Sequence, residues 1–426
     1  MNMKVSFYTL GCRLNFSETG ALVEQFKKQG FEVVAFEQEA DVVYINTCTV
    51  TAQADSSCRN AIRRAHKFSP KAKIIVAGCY SQVSGEEVRK LPGVVMVLGS
   101  SEKDKVFEYI NELEHKHQIV KTDQGNEIAV GMTTLADNHT RAFLKIQDGC
   151  DYFCSYCIIP YARGRSRSLP FDEVLKHAEE ILDQGFKEII LTGVNIGEYS
   201  VNEGGLEKLV QKLLTFPKLQ RLRLSSIEPN KVTTELLETL APSSKFLPHF
   251  HIPIQSAHPR ILKEMKRKYS IKEYEAVSKK VLNYFPNTAL GTDVIVGFPG
   301  ETQDEFEQAY EWIKQSSITH LHIFPYSKRE GTKASKLSGH LSNAIKKERA
   351  KRLRKLAEDK LDQFARKFIG TSQNVLFEKK NDQGFWNGLT PQFLRIEVPD
   401  QGIDLNNAIK EVKVSSLQNG VLKGFI

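Results

Sequence analysis

Residues 150–157 read CDYFCSYC, and the spacing of Cys150, Cys154 and Cys157 decides how the chain around them is read. Three thiols at C-x3-C-x2-C make a dense soft-donor loop, of the kind that selects zinc, copper(I) or an iron-sulfur cluster. A structural zinc wants a fourth ligand, and no fourth cysteine or histidine lies in or beside the loop. A 4Fe-4S cube wrapped at three corners keeps one iron without a protein ligand, open to chelate and reduce a small molecule. The loop directly follows the strand-like run AFLKI (142–146), which places it at the end of the first strand of a longer pattern.

That pattern continues through KEIILTG, RLRLSS, FHIPIQ, TDVIVGF and HLHIFPY, six strand-like runs that alternate with helical stretches. Val174, Ala178, Ile181 and Leu182 recur at helical spacing between Phe171 and Gln184, and Thr302 with Glu305 forms a capping box before Phe306, Ala309, Tyr310 and Ile313. Six βα units fit an open, partial (β/α)6 barrel over residues 136–366, with its active loops at the C-terminal ends of the strands.

Upstream, in residues 1–115, three apolar runs each end in a cysteine: VSFYTLGC at Cys12, VVYINTC at Cys48 and IIVAGC at Cys79. Helical patterns lie between them, so the segment reads β-α-β-α-β and predicts an open parallel sheet. The carboxyl ends of such strands line one edge, where ligands bind, so these three thiols are expected to converge into a second three-cysteine cluster. Cys58 follows no strand and reads as a structural thiol inside a helix.

Downstream, Ser342 to Gly370 holds ten basic and four acidic residues at helical spacing, with Leu353, Leu356, Leu361 and Phe364 available to pack inward. This basic helix reads as a phosphate-contacting strut, with Lys351, Arg352 and Arg354 as candidates and Arg63 and Arg64 as further ones on an N-terminal helix. Residues 367–426 switch to short strand-like runs (QNVLFE, FLRIEV, EVKVSSL) divided by Asn, Gly, Pro and Asp, which predict a small C-terminal β-barrel.

The whole is thus an α/β chain of three parts. With 426 residues, 41% hydrophobic, it has ample material for buried cores. It contains no apolar run long enough for a membrane span and no leader-like N-terminus, so it is expected in the cytoplasm, where seven cysteines point to metal ligation rather than disulfides. A net charge of +8 suits an anionic polymer as partner.

TLGCRLN, NTCTVT, AGCYSQ, CSYCIIPYARGRSRS, LTGVNIG, SSIEP and GFPGET together resemble the methylthiotransferase branch of the radical S-adenosylmethionine enzymes. Among its members they look most like those acting on N6-threonylcarbamoyladenosine beside the tRNA anticodon; relatives that modify isopentenyladenosine tend to carry Gln-Met where this chain has Arg13 and Leu14. The resemblance implies two 4Fe-4S clusters and S-adenosylmethionine. Cys150, Cys154 and Cys157 would hold the cluster that cleaves S-adenosylmethionine to a deoxyadenosyl radical, which takes hydrogen from carbon 2 of the adenine. Cys12, Cys48 and Cys79 would hold the cluster that presents the methylthio sulfur. The C-terminal barrel looks like a TRAM domain, an RNA-binding module, although Gln392 and Phe393 stand where the family often shows Asn and Tyr.

Tyr156, Gly193, Glu228, Gln255, Asp293 and Gly297 look cofactor-facing by their place at strand ends, and the family pattern agrees for some of them; Ala257 stands where the family usually has a glycine, a departure that costs stability if its turn needs positive φ. His249 with His251, and His320 with His322, each share one face of a strand and read as satisfied interior histidines. The expected partners are tRNA at its anticodon loop and an electron donor such as flavodoxin or ferredoxin, with a monomeric chain and no membrane. Two other readings remain: methylthiolation of a ribosomal-protein aspartate by a relative with the same clusters, and a non-catalytic iron-sulfur or zinc RNA-binding redox sensor.

Overall fold

The computed structural model describes residues 3–110, 112, 118–125, 128 and 140–426. Its first layer is a six-stranded, all-parallel sheet of β1 (Lys4–Thr9), β2 (Glu32–Val34), β3 (Val42–Thr47), β4 (Lys73–Gly78), β5 (Val94–Leu98) and β6 (Ile119–Lys121), in the order β2-β1-β3-β4-β5-β6. Val42–Thr47 is buried at every position, as a strand covered on both faces must be. Apolar clusters lie on each side, one around Ile45, Ile62 and Val76, the other around Tyr44, Phe26 and Ile75. Helices α1 (Arg13–Lys28), α2 (Ala52–Phe68) and α3 (Cys79–Val88) make the crossovers and the cover. The three cysteine-ending strands are therefore β1, β3 and β4, neighbours in space. Sequence periodicity missed β2, β5 and β6; β2 and β6 have only three residues each, too few to show a period.

The central part contains β7 (Arg141–Lys145), β8 (Glu188–Thr192), β9 (Arg221–Leu224), β10 (His249–His251), β11 (Ala289–Val296) and β12 (His320–Pro325). They form two parallel three-stranded sheets, β7-β8-β9 and β10-β11-β12, stitched by single bridges Leu222↔Phe246 and Ser226↔His251. The result is the expected open six-stranded arc in chain order. Helices α4 (Ile159–Arg163), α5 (Phe171–Asp183), α6 (Leu206–Leu214), α7 (Thr234–Leu240), α8 (Ile271–Tyr284) and α9 (Gln303–Gln315) follow the strands. The Thr302/Glu305 capping box forms at the start of α9 with both of its hydrogen bonds. One large apolar cluster fills the space between strands and helices, taking Leu144, Leu191, Leu222, Val294 and Leu321 from the outward faces of the strands.

FHIPIQ is strand only to His251, because Pro253 has no N–H to give a ladder and Gln255 turns to φ +62°. Gln255 nevertheless rejoins the sheet, its N–H donating to the Asp293 carbonyl at 2.8 Å and its carbonyl accepting from Ile295 N at 2.8 Å. The left-handed residue of this turn is thus Gln255. Ala257 is not among the positive-φ residues and is buried in the main core, so alanine there carries no backbone penalty.

Helix α10 (Asn343–Arg366) leads to a closed antiparallel and parallel barrel of β13 (Ser372–Lys380), β14 (Phe385–Leu389), β15 (Arg395–Pro399), β16 (Ile409–Gln418) and β17 (Val421–Phe425). Its loop after β14 reaches under the central arc. Arg221 donates to the carbonyls of Asn374 (2.9 Å) and Leu389 (3.2 Å), and Arg223 to that of Pro391 (3.1 Å). Phe393, at φ +66°, presents its ring to Arg223 (4.8 Å), Arg13 and Arg141 (5.5 Å each) and His249 (5.0 Å).

Candidate active site

The loop after β7 is held open by backbone geometry that only a few residues tolerate. Gly149 sits at φ +72°, and a Cβ there would fall on the Arg165 carbonyl oxygen. Cys150 N donates to the Gly164 carbonyl at 3.1 Å, Phe153 takes φ +48°, and Cys157 N donates to the Cys154 carbonyl at 3.0 Å. Ser155 anchors the loop to the central arc, its N–H on the Met265 carbonyl (3.0 Å) and its hydroxyl on that of Glu264 (2.7 Å). Burial pushes the Cys157 thiol up to about 12 and raises those of Cys150 and Cys154 as well, so these thiols are neutral until a metal displaces their protons. Arg267 donates to Cys154 Sγ at 3.0 Å, to the Tyr269 hydroxyl at 3.0 Å and to the carboxylate of Glu228. It sets a cation in contact with the thiolate charge that a cluster would bring.

Cys12, Cys48 and Cys79 come together at the carboxyl edge of the first sheet, from the loops after β1, β3 and β4. Gly11 (φ +106°) packs its backbone on Cys48: an added Cβ would lie 2.6 Å from Cys48 Cβ and 3.0 Å from its Sγ. Burial raises the Cys48 thiol to about 12, with Cys79 and Cys12 close enough to push it further in the same direction. Cys79 opens α3 behind Gly78, whose φ of +101° and missing Cβ leave room for Asn46 Oδ1. Cys58 is fully buried and donates to the Cys48 carbonyl at 3.3 Å. Among the described residues, neither trio gathers its sulfurs within 4.8 Å, so neither is drawn in to single-ion spacing. Three thiols per site are the donor set that a 4Fe-4S cluster with one iron free of protein ligands would take.

A buried charge network fixes one trio against the other. Glu18 on α1 pairs with Lys103, with Lys145 (2.7 Å) and with Arg163 (3.1 Å). Asp148 pairs with the same Lys145 (2.7 Å) and Arg163 (2.9 Å), and Asn15 Oδ1 accepts from Arg163 at 2.6 Å. Burial alone would raise Glu18, but Arg163, Lys103 and Lys145 outweigh it and hold its carboxyl at about 2. Asp148 lies just before the Cys150 loop and Glu18 just after Cys12, so the network spans the two cysteine sites. A second strut joins Arg329 to Thr49 Oγ1 (2.6 Å) and Asp55 (2.7 Å), beside Cys48.

The remaining expected contacts are placed unevenly. Tyr156 is half-buried against Met265 and Phe298, with its hydroxyl 3.5 Å from Arg267. Glu228 is committed to Arg267. Gly193 leaves its Cβ space to Gln147 Oε1 (2.8 Å), and Gly297 (φ +72°) lies under Lys346. Asp293 faces His251 Nε2 at 3.2 Å and His322 Nδ1 at 3.3 Å. These histidines are not the plain interior pairs expected, whereas His249 Nδ1 and His320 Nε2 lie buried with no hydrogen-bond partner among the described residues.

Residues 144–313 match the model of the Radical SAM superfamily, and residues 4–99 that of the Uncharacterized protein family UPF0004. The "Threonylcarbamoyladenosine tRNA methylthiotransferase MtaB" of Bacillus subtilis is 39% identical over 92% of this chain and 89% of its own length. The chain belongs to the radical S-adenosylmethionine methylthiotransferase family. The "tRNA-2-methylthio-N(6)-dimethylallyladenosine synthase" of Thermodesulfovibrio yellowstonii, in the same family, is 32% identical over 90% of this chain and 89% of its own. The fold is shared with a radical S-adenosylmethionine methyltransferase, TsrM from Kitasatospora setae, at a TM-score of 0.57 and 15% identity over 79% of this chain and 77% of that one.

Membership in a methylthiotransferase family overturns the reading of a non-catalytic redox sensor. What sequence reasoning missed in this methylthiotransferase is the set of residues between its cysteines: Arg267, the Glu18–Arg163 network and the Phe393 contact. One signal was available. A Gly-Cys pair occurs at 11–12, 78–79 and 149–150, and each glycine has positive φ. The basic helix also needs revision: Arg352 forms a two-pronged pair with Glu307 (2.6 and 2.7 Å) and stacks on Phe306 and Tyr310, and Arg64 pairs with Glu37. Lys351 and Arg354 remain exposed. Among the described residues, no helix is long and apolar enough to cross a membrane.

Proposed function

We propose that this methylthiotransferase converts N6-threonylcarbamoyladenosine next to the tRNA anticodon to its 2-methylthio derivative. The observation that carries the reading is the pair of cysteine trios, each at the carboxyl edge of a parallel sheet and locked together through Glu18, Asp148 and Arg163. Substrate choice is supported by the relatives: those named for threonylcarbamoyladenosine reach 39–40% identity, against 32% for those named for dimethylallyladenosine.

Cys150, Cys154 and Cys157 would hold one 4Fe-4S cluster and Cys12, Cys48 and Cys79 another. When bound, these clusters with S-adenosylmethionine supply electron transfer, radical generation and a methylthio sulfur. The protein's own part is positional. The Gly149–Cys157 backbone holds one thiolate set open, Arg267 balances negative charge at Cys154, and the buried network fixes the distance from the hydrogen-abstracting side to the sulfur-donating side. A reduced flavodoxin or ferredoxin would serve as electron donor, and the chain would act as a monomer on tRNA, with domains at 1–115, 136–366 and 367–426.

The test is a pair of variants in anaerobically loaded protein. Cys154→Ala should abolish deoxyadenosine formation, whereas Cys48→Ala should retain part of it and lose methylthiolation. Normal methylthiolation by Cys48→Ala would end the division of labour, and an absence of product from threonylcarbamoyl tRNA with wild-type protein would end the substrate assignment.

A further inference from the structure

The strands β10 to β12 send alternate residues to opposite sides. Leu290, Val294, Leu321 and Ile323 face the main apolar core, so His249, His251, Asp293, His320, His322 and Phe324 face the inside of the arc. They stand at three depths. His249 and His320 lie lowest, ring centroids 5.8 Å apart, with Phe393 beneath His249. Two residues nearer the mouth, where Asp293 is in register with His322, come His251, Asp293 and His322. Two residues further up comes Phe324, 44% exposed although it is a large aromatic on a strand of the central arc.

The middle layer is a set of hydrogen-bonding groups turned toward the inside. Both imidazoles direct one nitrogen at the same Asp293 oxygen, at 3.2 and 3.3 Å, longer than the roughly 2.7–2.9 Å of a committed charged hydrogen bond. Each ring keeps a second nitrogen, and Asp293 a second oxygen. His251 Nδ1 faces Gly291, which has no side chain to fill the space: a Cβ there would lie only 3.2 Å away. His322 is open, with 59% of its side chain exposed.

We infer that His251, Asp293 and His322 form a subsite that reads the substituent on N6 of the target adenine by hydrogen bonding, with Phe324 as the stacking platform for the base. The inference rests on the function proposed above and identifies what selects its substrate. A threonylcarbamoyl group offers a hydroxyl that can donate to the second nitrogen of an imidazole, and its own N–H to the second oxygen of Asp293. A dimethylallyl group offers only hydrocarbon. It would strip water from all three side chains and return nothing, and sites built to hydrogen-bond a substrate group reject analogues lacking it by as much as about 10⁴-fold. Aromatic rings accept any base face, so Phe324 contributes affinity without this discrimination.

The experiment uses the full, cluster-loaded chain and three anticodon stem-loop RNAs that differ only at the target adenine: threonylcarbamoyl, dimethylallyl or unmodified. Wild-type protein should bind the first about 100-fold more tightly than the second. His322→Leu and Asp293→Ala should bring that ratio to within a few-fold of one by weakening only the threonylcarbamoyl RNA, and His322→Asn, which keeps a donor, should restore part of it. The ratio within one protein is its own control for folding, and His322, being exposed, gives the safer variant. Retention of the wild-type ratio by both His322→Leu and Asp293→Ala overturns the subsite and leaves the proposed function intact. A wild-type preference for the dimethylallyl RNA overturns the proposed substrate as well. A stoichiometric zinc or manganese ion in wild-type protein that His322→Leu loses would instead assign the three side chains to a cation and overturn the inference.

Discussion

The two cysteine trios differ in how the chain assembles them. Cys150, Cys154 and Cys157 lie within eight consecutive residues and are shaped by one loop, so their geometry is nearly a local property. Cys12, Cys48 and Cys79 are spread over 68 residues and meet only because β1, β3 and β4 are neighbours in a parallel sheet. A site of the first kind is as robust as its turn; one of the second kind is as robust as the whole sheet.

The strongest way to break that comparison is through the glycines in front of the cysteines. Gly149→Ala would collide with the Arg165 carbonyl at a φ of +72°, and should abolish deoxyadenosine formation while halving iron per chain. Gly11→Ala would bring a Cβ to 2.6 Å from Cys48 Cβ, and should remove the other half of the iron while sparing cleavage of S-adenosylmethionine. Iron and sulfide quantification after anaerobic reconstitution, read beside deoxyadenosine formation, decides both, and loss of both clusters' iron from either single variant would mean that the two sites are not separable.

Next in size is Glu18→Gln, which takes from Lys103, Lys145 and Arg163 the carboxylate that all three share. Breaking a buried ion network from one side costs about 3–5 kcal/mol. Denaturant unfolding should show that loss, and methylthiolation should fall more than deoxyadenosine formation, because the seam sets the distance between the trios rather than either trio itself.

The same seam sets an acid limit. Glu18 is held at about 2 in the folded protein, below the about 4.3 of an unfolded glutamate, so its stabilising share is present above about pH 4.3 and lost as pH falls toward 2. Unfolding midpoints measured between pH 5 and pH 2 should drop for wild-type protein and flatten in Glu18→Gln. The smallest effect is expected from reversing Lys351 and Arg354, which lie far from the seam in sequence. Affinity for tRNA should fall and the slope of log affinity against log salt should lessen by about one to two, with cluster content unchanged.

The contrast also explains what was legible in the sequence. The local trio could be read from spacing alone, and the six βα units from their periodicity, because both signals lie within a few residues. The distributed trio needed one further step, that consecutive β-α-β units make parallel neighbours, and that step holds here. Pairings between distant residues left no such trace. Glu18 looks like any helix glutamate until Arg163 is brought against it, and Asp293 acquires its two imidazoles only when three strands align in register. The six cysteines of the candidate site were therefore readable, while its charged seam and its inner lining were properties of the fold.

Phe393 has one more consequence. Its ring, wedged among Arg13, Arg141 and Arg223, corks the bottom of the central chamber with a piece of the terminal barrel. The terminal barrel thus closes one end of the central arc. A chain ending at Ile369 would admit water and reductant from below, so damage at the far terminus should surface first as wasted S-adenosylmethionine, before any failure to grip RNA.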